Sequence, residues 1–132
     1  MASTIEKTLR SAEISVALLK VLAENSFDSI LITDTTAKGK ITYANKAFKK
    51  LTGYKPAEVI GKTPRILQGV GTDKKVTERL SAALKSGGNF EGKAINYKKD
   101  GTPFIMYWRV LPIKAGKKIE AWIAIQREGA AI

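Results

Sequence analysis

Apolar residues recur along the amino-terminal segment at Ile5, Leu9, Ala12, Val16 and Leu19, at spacings of four, three, four and three, which predicts one helix with an apolar stripe. Ser3 and Glu6 form a capping box for its start. Beyond Asn25 and Ser26 the period changes. Ile30, Leu31 and Ile32, the turn-rich Asp34 to Gly39, and Ile41 to Tyr43 read as a β-hairpin. Asn45 caps a short helix through Ala47, Phe48 and Leu51 that Gly53 closes, and Pro56 to Ile60 reads as a second short helix. Thr72 and Asp73 cap a longer helix carrying Val76, Leu80, Ala83 and Leu84, which ends at Gly87-Gly88.

Three strand-like runs follow, Phe90 to Tyr97, Pro103 to Ile113 and Ile119 to Gln126, joined by turns at Lys99-Asp100-Gly101 and Ala115-Gly116. Two strands, a helical insert and three strands imply an α+β domain, an antiparallel sheet with its helices on one face. The expected organisation is a flanking helix over residues 1–25, one domain over 26–128 and a short tail over 129–132.

Composition then removes chemistries. The 132 residues, 44% apolar, are enough for one buried core. There is no cysteine and no histidine, which excludes disulfides, thiolate nucleophiles, iron–sulfur clusters, ordinary haem ligation and histidine-based hydrolysis. Asp28, Asp34, Glu58 and Glu91 form no paired-carboxylate motif and no glycine-rich phosphate loop is present, so neither catalytic nor metal-binding residues are expected. The polar first residues and the charges at Glu13, Lys20 and Glu24 argue against a leader or a membrane span, and a cytoplasmic location is expected. The net charge of +11 is spread over single and paired lysines, a solvated basic surface rather than a nucleic-acid site.

Ile41 to Phe48, Leu51-Thr52-Gly53-Tyr54 and Glu58 to Lys62, with Asn96 to Gly101 and Pro112-Ile113, together resemble the PAS domain family over about Phe27 to Arg127. Within that family, Gly61-Lys62-Thr63-Pro64-Arg65-Ile66-Leu67-Gln68-Gly69 is similar to the flavin motif of the light-oxygen-voltage (LOV) subgroup, G-x-N-C-R-F-L-Q-G. The resemblance implies a flavin site for FMN, with FAD or no ligand as alternatives. Pro64 stands where the family has the cysteine that adds to the flavin, so that adduct is excluded.

Carried over position by position, Arg65 would pair with the ribityl phosphate, Gln68 would lie beside it, and Asn96 would read the pyrimidine edge of the ring. Gln126 would meet flavin N5 and O4 and relay a light- or redox-driven change. Alternation puts Ala124 and Trp122 on its face, with Ala124 leaving room for a flat ring. Phe104, Met106 and Trp108 share an inward face, and Trp108 is either a core aromatic or an electron donor. Thr63 and Met106 replace family asparagines, and Ser81 stands where some LOV domains carry a second phosphate arginine. Phe90-Glu91-Gly92 is similar to the W-x-G stretch of redox-sensing, FAD-binding PAS domains.

The implied function is a flavin-dependent signal sensor, not an enzyme. The alternative is a cofactor-free PAS module for dimerisation or signal relay. Ile105, Tyr107, Ile123 and Ile125 form an apolar outer row expected to be covered by the Ile5 to Leu19 helix or by a second copy, which implies a homodimer. An output domain in a longer protein is the other expected partner.

Overall fold

A computed structural model describes Ile5 and residues 11–130. Helix α1 (Ala12–Glu24) starts where the Ser11 side chain accepts a hydrogen bond from the Ile14 N–H. The stripe read as one helix therefore has a helix start inside it, at a serine that caps better than it propagates. The Ser3–Glu6 capping box and Leu9 lie outside the described residues.

Five strands follow in chain order, β1 (Ser29–Thr33), β2 (Ile41–Ala44), β3 (Phe90–Tyr97), β4 (Pro103–Ala115) and β5 (Lys118–Glu128). They make one antiparallel sheet in the order β2-β1-β5-β4-β3. The last strand thus inserts beside the first, with Ser29 opposite Gln126 and Leu31 opposite Ala124. The chain continues the sheet one residue past β5: the Gly129 N–H, placed in the tail by the sequence, donates to the Ile105 carbonyl at 2.7 Å.

Between β2 and β3 lie α2 (Lys46–Thr52), α3 (Pro56–Val59), a 3₁₀ turn (Pro64–Leu67) and α4 (Lys74–Ser86). The expected α+β arrangement is the observed one. Gly53 and Gly87 end α2 and α4 with positive φ, a conformation that a Cβ disfavours. Phe48, Val59 and Leu67 from the helical segment pack with Leu31, Phe104, Met106, Trp108 and Val110 of the sheet as one core. Alternation along β4 is clean, with Phe104, Met106, Trp108 and Val110 buried and Tyr107 and Arg109 outside.

Two features differ from that compact picture. No residue of α4 is fully buried, although Val76, Leu80, Ala83 and Leu84 face the core, because a cavity lies beneath the helix. No residue of α1 is fully buried either, and Ile14, Val16, Leu19, Val21 and Leu22 are exposed. Among the described residues α1 therefore does not cover the outer sheet face, where Tyr107 and Ile95 stay exposed. Its attachment is polar and confined to its last turn.

Candidate ligand cavity and its polar lining

A cavity of about 870 Å³ opens between the inner face of β3, β4 and β5, the 3₁₀ turn, α4 and the β1–β2 turn. That is within the range of small-molecule and cofactor sites. Seven of the eight residues named from the sequence line it: Arg65, Gln68, Asn96, Met106, Trp108, Ala124 and Gln126. Thr63 does not. It precedes the 3₁₀ turn with extended backbone, its carbonyl accepts the Ile66 N–H, and its side chain makes no cap bond, so the motif position is kept without the wall contact.

Pro64 begins the 3₁₀ turn, where a fixed φ suits the first position and a missing N–H is not required. It lines the cavity with a saturated ring. The turn carries Arg65 and ends at Gln68, whose N–H returns to the Arg65 carbonyl. Gly69 follows because nothing larger fits: a Cβ there would meet the Tyr97 ring, with Cδ1 at 2.6 Å. Tyr97 then accepts the Gly71 N–H at 2.7 Å through its hydroxyl, which fixes the loop leading into α4.

Two amides sit on the sheet floor, both nearly inaccessible to solvent. Gln126 uses Oε1 to accept from the Ser29 hydroxyl at 3.1 Å, and among the described residues its Nε2 makes no hydrogen bond. Asn96 donates Nδ2 to the Met106 sulfur at 3.5 Å, and its Oδ1 likewise has no protein partner among the described residues. Among the described residues no fully buried side-chain nitrogen or oxygen lacks a partner, so these two free ends open onto the cavity that both residues line. These two amides thus give the sheet floor one free donor end and one free acceptor end, with the small Ala124 between Trp122 and Gln126 on the same strand face.

Trp108 lies against Phe90, ring centroids 5.1 Å apart and tilted by 47°. Arg79 stacks over Phe90 at 4.8 Å and donates to the Glu91 carbonyl at 2.9 Å, so this cation serves the wall and not the opening. Lys38, Arg65, Lys74 and Lys85 do line the cavity, and none is in a salt bridge among the described residues.

The carboxylates named from the sequence are individually engaged. Asp28 pairs with Arg127 at 2.6 Å. Asp34 accepts from Thr36 and from the Lys40 N–H, which hold its carboxyl below the usual range. Glu58 is lowered by Lys99 and by the Lys55 N–H, and Glu91 by Tyr107 and Arg109. Among the described residues no cluster of three acidic side chains forms a metal site. No described helix is long and apolar enough to cross a membrane.

A second polar junction, read from sequence only as a helix cap, joins the sheet to α1. Asn45 is 1% exposed and makes four hydrogen bonds. Its Oδ1 accepts from the Ile30 and Phe48 N–H groups, and its Nδ2 donates to the Ala23 carbonyl at 2.8 Å and the Asp28 carbonyl at 3.1 Å. Beside it the Tyr43 hydroxyl donates to Glu24 at 2.6 Å. Burial and that carboxylate push the Tyr43 pKa up to about 12.

The chain matches the PAS domain family model over residues 28–128. It is 40% identical over 87 residues to Phototropin-1A of Oryza sativa subsp. japonica, covering 65% of this chain and 9% of that protein. It is 46% identical over 74 residues to a blue-light-activated histidine kinase of Brucella anthropi, covering 56% of this chain and 15% of the kinase. The chain thus spans a small fraction of these relatives. Among solved structures, the LOV domain of a blue-light-activated histidine kinase from Erythrobacter litoralis is 30% identical with a TM-score of 0.73, covering 76% of this chain and 94% of that one. A LOV domain from a study of a flavin analogue is 29% identical with a TM-score of 0.79, covering 86% and 85% of the two chains.

Proposed function

The chain belongs to the PAS domain family and, within it, to the LOV branch without the adduct-forming cysteine, and on that premise we propose that it is a flavin-binding sensor whose response passes through Gln126. The observation that carries this reading is the pair of buried amides, Asn96 and Gln126, each with one end held by protein and the other turned to the same cavity. An apolar slot with a donor and an acceptor on its floor fits a flat heterocycle with polar edges. Arg65 and Gln68 at the 3₁₀ turn would hold a phosphate and the chain leading to it. Met106, Trp108 and Ala124 would be the apolar walls.

A bound flavin supplies a ring that changes its hydrogen-bonding character on light absorption or reduction, and no thiol is needed for that. The protein side of the relay follows from its own bonds. If the Gln126 amide turns by half a rotation, Nε2 replaces Oε1 opposite Ser29, and the Ser29 hydroxyl changes from donor to acceptor. Ser29 opens β1, and the next residue, Ile30, exchanges hydrogen bonds with Asn45 through both its N–H and its carbonyl. Asn45 holds the last turn of α1 at Ala23. Three side chains therefore connect the cavity floor to the amino-terminal helix, a path that supports signalling by a shift of that helix.

The exposed stripe of α1 and the half-exposed outer sheet face favour a homodimer as the working assembly, and the kinases among the relatives favour an output domain in a longer protein. Flavin extracted from the purified protein, with a light- or reductant-induced difference that Gln126→Leu abolishes, is the expected result. Colourless protein whose melting temperature ignores added flavin would favour the cofactor-free module instead.

A further inference from the structure

Helix α4 is a thinly anchored wall of the cavity. Its Leu80 and Leu84 line the cavity and are only half-buried, so the apolar packing that usually fixes a helix is incomplete here. Its polar ties are few. Just before the helix begins, the Thr72 hydroxyl donates to the Ile95 carbonyl at 2.7 Å and the Gly71 N–H to the Tyr97 hydroxyl, which pins the amino-terminal end to β3. Within Lys74–Ser86, among the described residues, a single hydrogen bond crosses to the sheet and no salt bridge does. Arg79 makes it, from Nη1 to the Glu91 carbonyl.

That bond is made on a prepared seat. The Glu91 carboxylate is held by Tyr107 and Arg109 of the neighbouring strand, which fixes β3 at the residue whose carbonyl Arg79 uses. The next residue is glycine for a steric reason: a Cβ on Gly92 would lie 2.7 Å from Arg79 Nη2 and 2.7 Å from Cζ of Phe90. Only a hydrogen leaves room for the guanidinium. Phe90, whose ring carries that cation on one side and meets Trp108 of the cavity wall on the other, completes the seat. Phe90-Glu91-Gly92, seen in the sequence only as a likeness to other PAS domains, is thus the resting place of one α4 side chain.

We propose that Arg79 is a latch that fastens α4 over the cavity, and that the helix swings from its Thr72–Tyr97 end to admit and release the ligand. Arg79 does not line the cavity, so it is a positioning residue that touches no ligand. Beyond it, Leu80, Ala83 and Leu84 meet the core only partly, and no polar bond among the described residues ties the last turn to the sheet. Opening the latch exchanges a hydrogen bond between two exposed residues for water, a local step well below the cost of unfolding the sheet. The role in ligand exchange rests on the flavin reading above; the opening of α4 does not.

The test compares the wild type with Arg79→Met, which keeps an apolar stem and loses the guanidinium, and with Gly92→Ala, which crowds the guanidinium from its seat without altering the helix. Circular dichroism checks folding, and Arg79→Met carries the test alone if Gly92→Ala does not fold. In the ligand-free proteins, amides of Leu80–Ser86 should exchange about tenfold faster in the variants, with β4 within about twofold of the wild type. Mixing with FMN or FAD, and release from the loaded protein, should show association and dissociation both about tenfold faster, with Kd within about threefold. Unchanged exchange in α4, equal acceleration in β4, unchanged flavin rates, or faster dissociation alone with weakened binding each overturns the latch. If the wild type binds neither flavin, the flavin reading fails, and the exchange of Leu80–Ser86 still upholds or overturns the opening of α4.

Discussion

The Ser29 hydroxyl and the Gln126 amide are 97 residues apart in the chain and 3.1 Å apart in the fold, buried together on adjacent strands. Their bond joins the first strand to the last at the floor of the cavity. It also decides which end of Gln126 faces inward.

Removing either partner strands the other. Ser29→Ala and Gln126→Leu should each destabilise the domain by about 1–3 kcal/mol, and the double mutant should cost less than the sum of the two, with a coupling of about 1 kcal/mol. Urea unfolding of the four proteins checks this. Additive losses would mean that the bond contributes nothing.

The Asn45 junction makes a separate prediction. Asn45→Asp keeps an acceptor for Ile30 and Phe48 but loses both donors, so Ala23 and Asp28 lose their partner and two carbonyls meet a carboxylate. A loss of about 2–4 kcal/mol is expected, with faster amide exchange at the end of α1 than in β4. Uniform exchange across both elements would argue against Asn45 as the attachment of the helix.

The Tyr43–Glu24 pair sets an alkaline dependence. The folded Tyr43 keeps its proton to about pH 12, whereas the unfolded chain releases it near 10. Its stabilisation is therefore complete below pH 10 and is lost as pH rises from 10 to about 12. Stability measured against pH should fall more steeply there in the wild type than in Tyr43→Phe. Parallel profiles would show that the hydrogen bond does not favour the protonated hydroxyl.

Ala124 tests the slot itself. Ala124→Leu puts a branched side chain between Trp122 and Gln126, and the filled apoprotein should gain about 0.5–2 kcal/mol while flavin binding drops by more than about tenfold. Thermal melts with and without flavin separate the two effects. Unchanged flavin binding would place the ring elsewhere.

The sheet was legible because its strands are apolar and β-branched runs and its turns have their own chemistry: Lys99-Asp100-Gly101 and Ala115-Gly116 mark both late hairpins. Gln126 was legible as an inward position by alternation along its strand, and Asn96 by the family resemblance; both are buried. What stayed hidden was non-local. Nothing in Ser29 announces a partner at Gln126, and Asn45 looks like an ordinary cap until the fold brings Ala23 beside it. Thr63 falls outside the lining because a motif fixes order along the chain, while the cavity wall depends on where the 3₁₀ turn begins. The break at Ser11 was missed because an apolar stripe can cross a helix start without changing period.

The most direct test of the account is the absorption and fluorescence spectrum of the purified protein, recorded before and after denaturation and after flavin addition. A flavin-binding sensor should show structured visible flavin bands, chromophore released on unfolding, and reversible photoreduction without the bleaching of a thiol adduct. A colourless protein with no spectral or thermal response to FMN or FAD would contradict it.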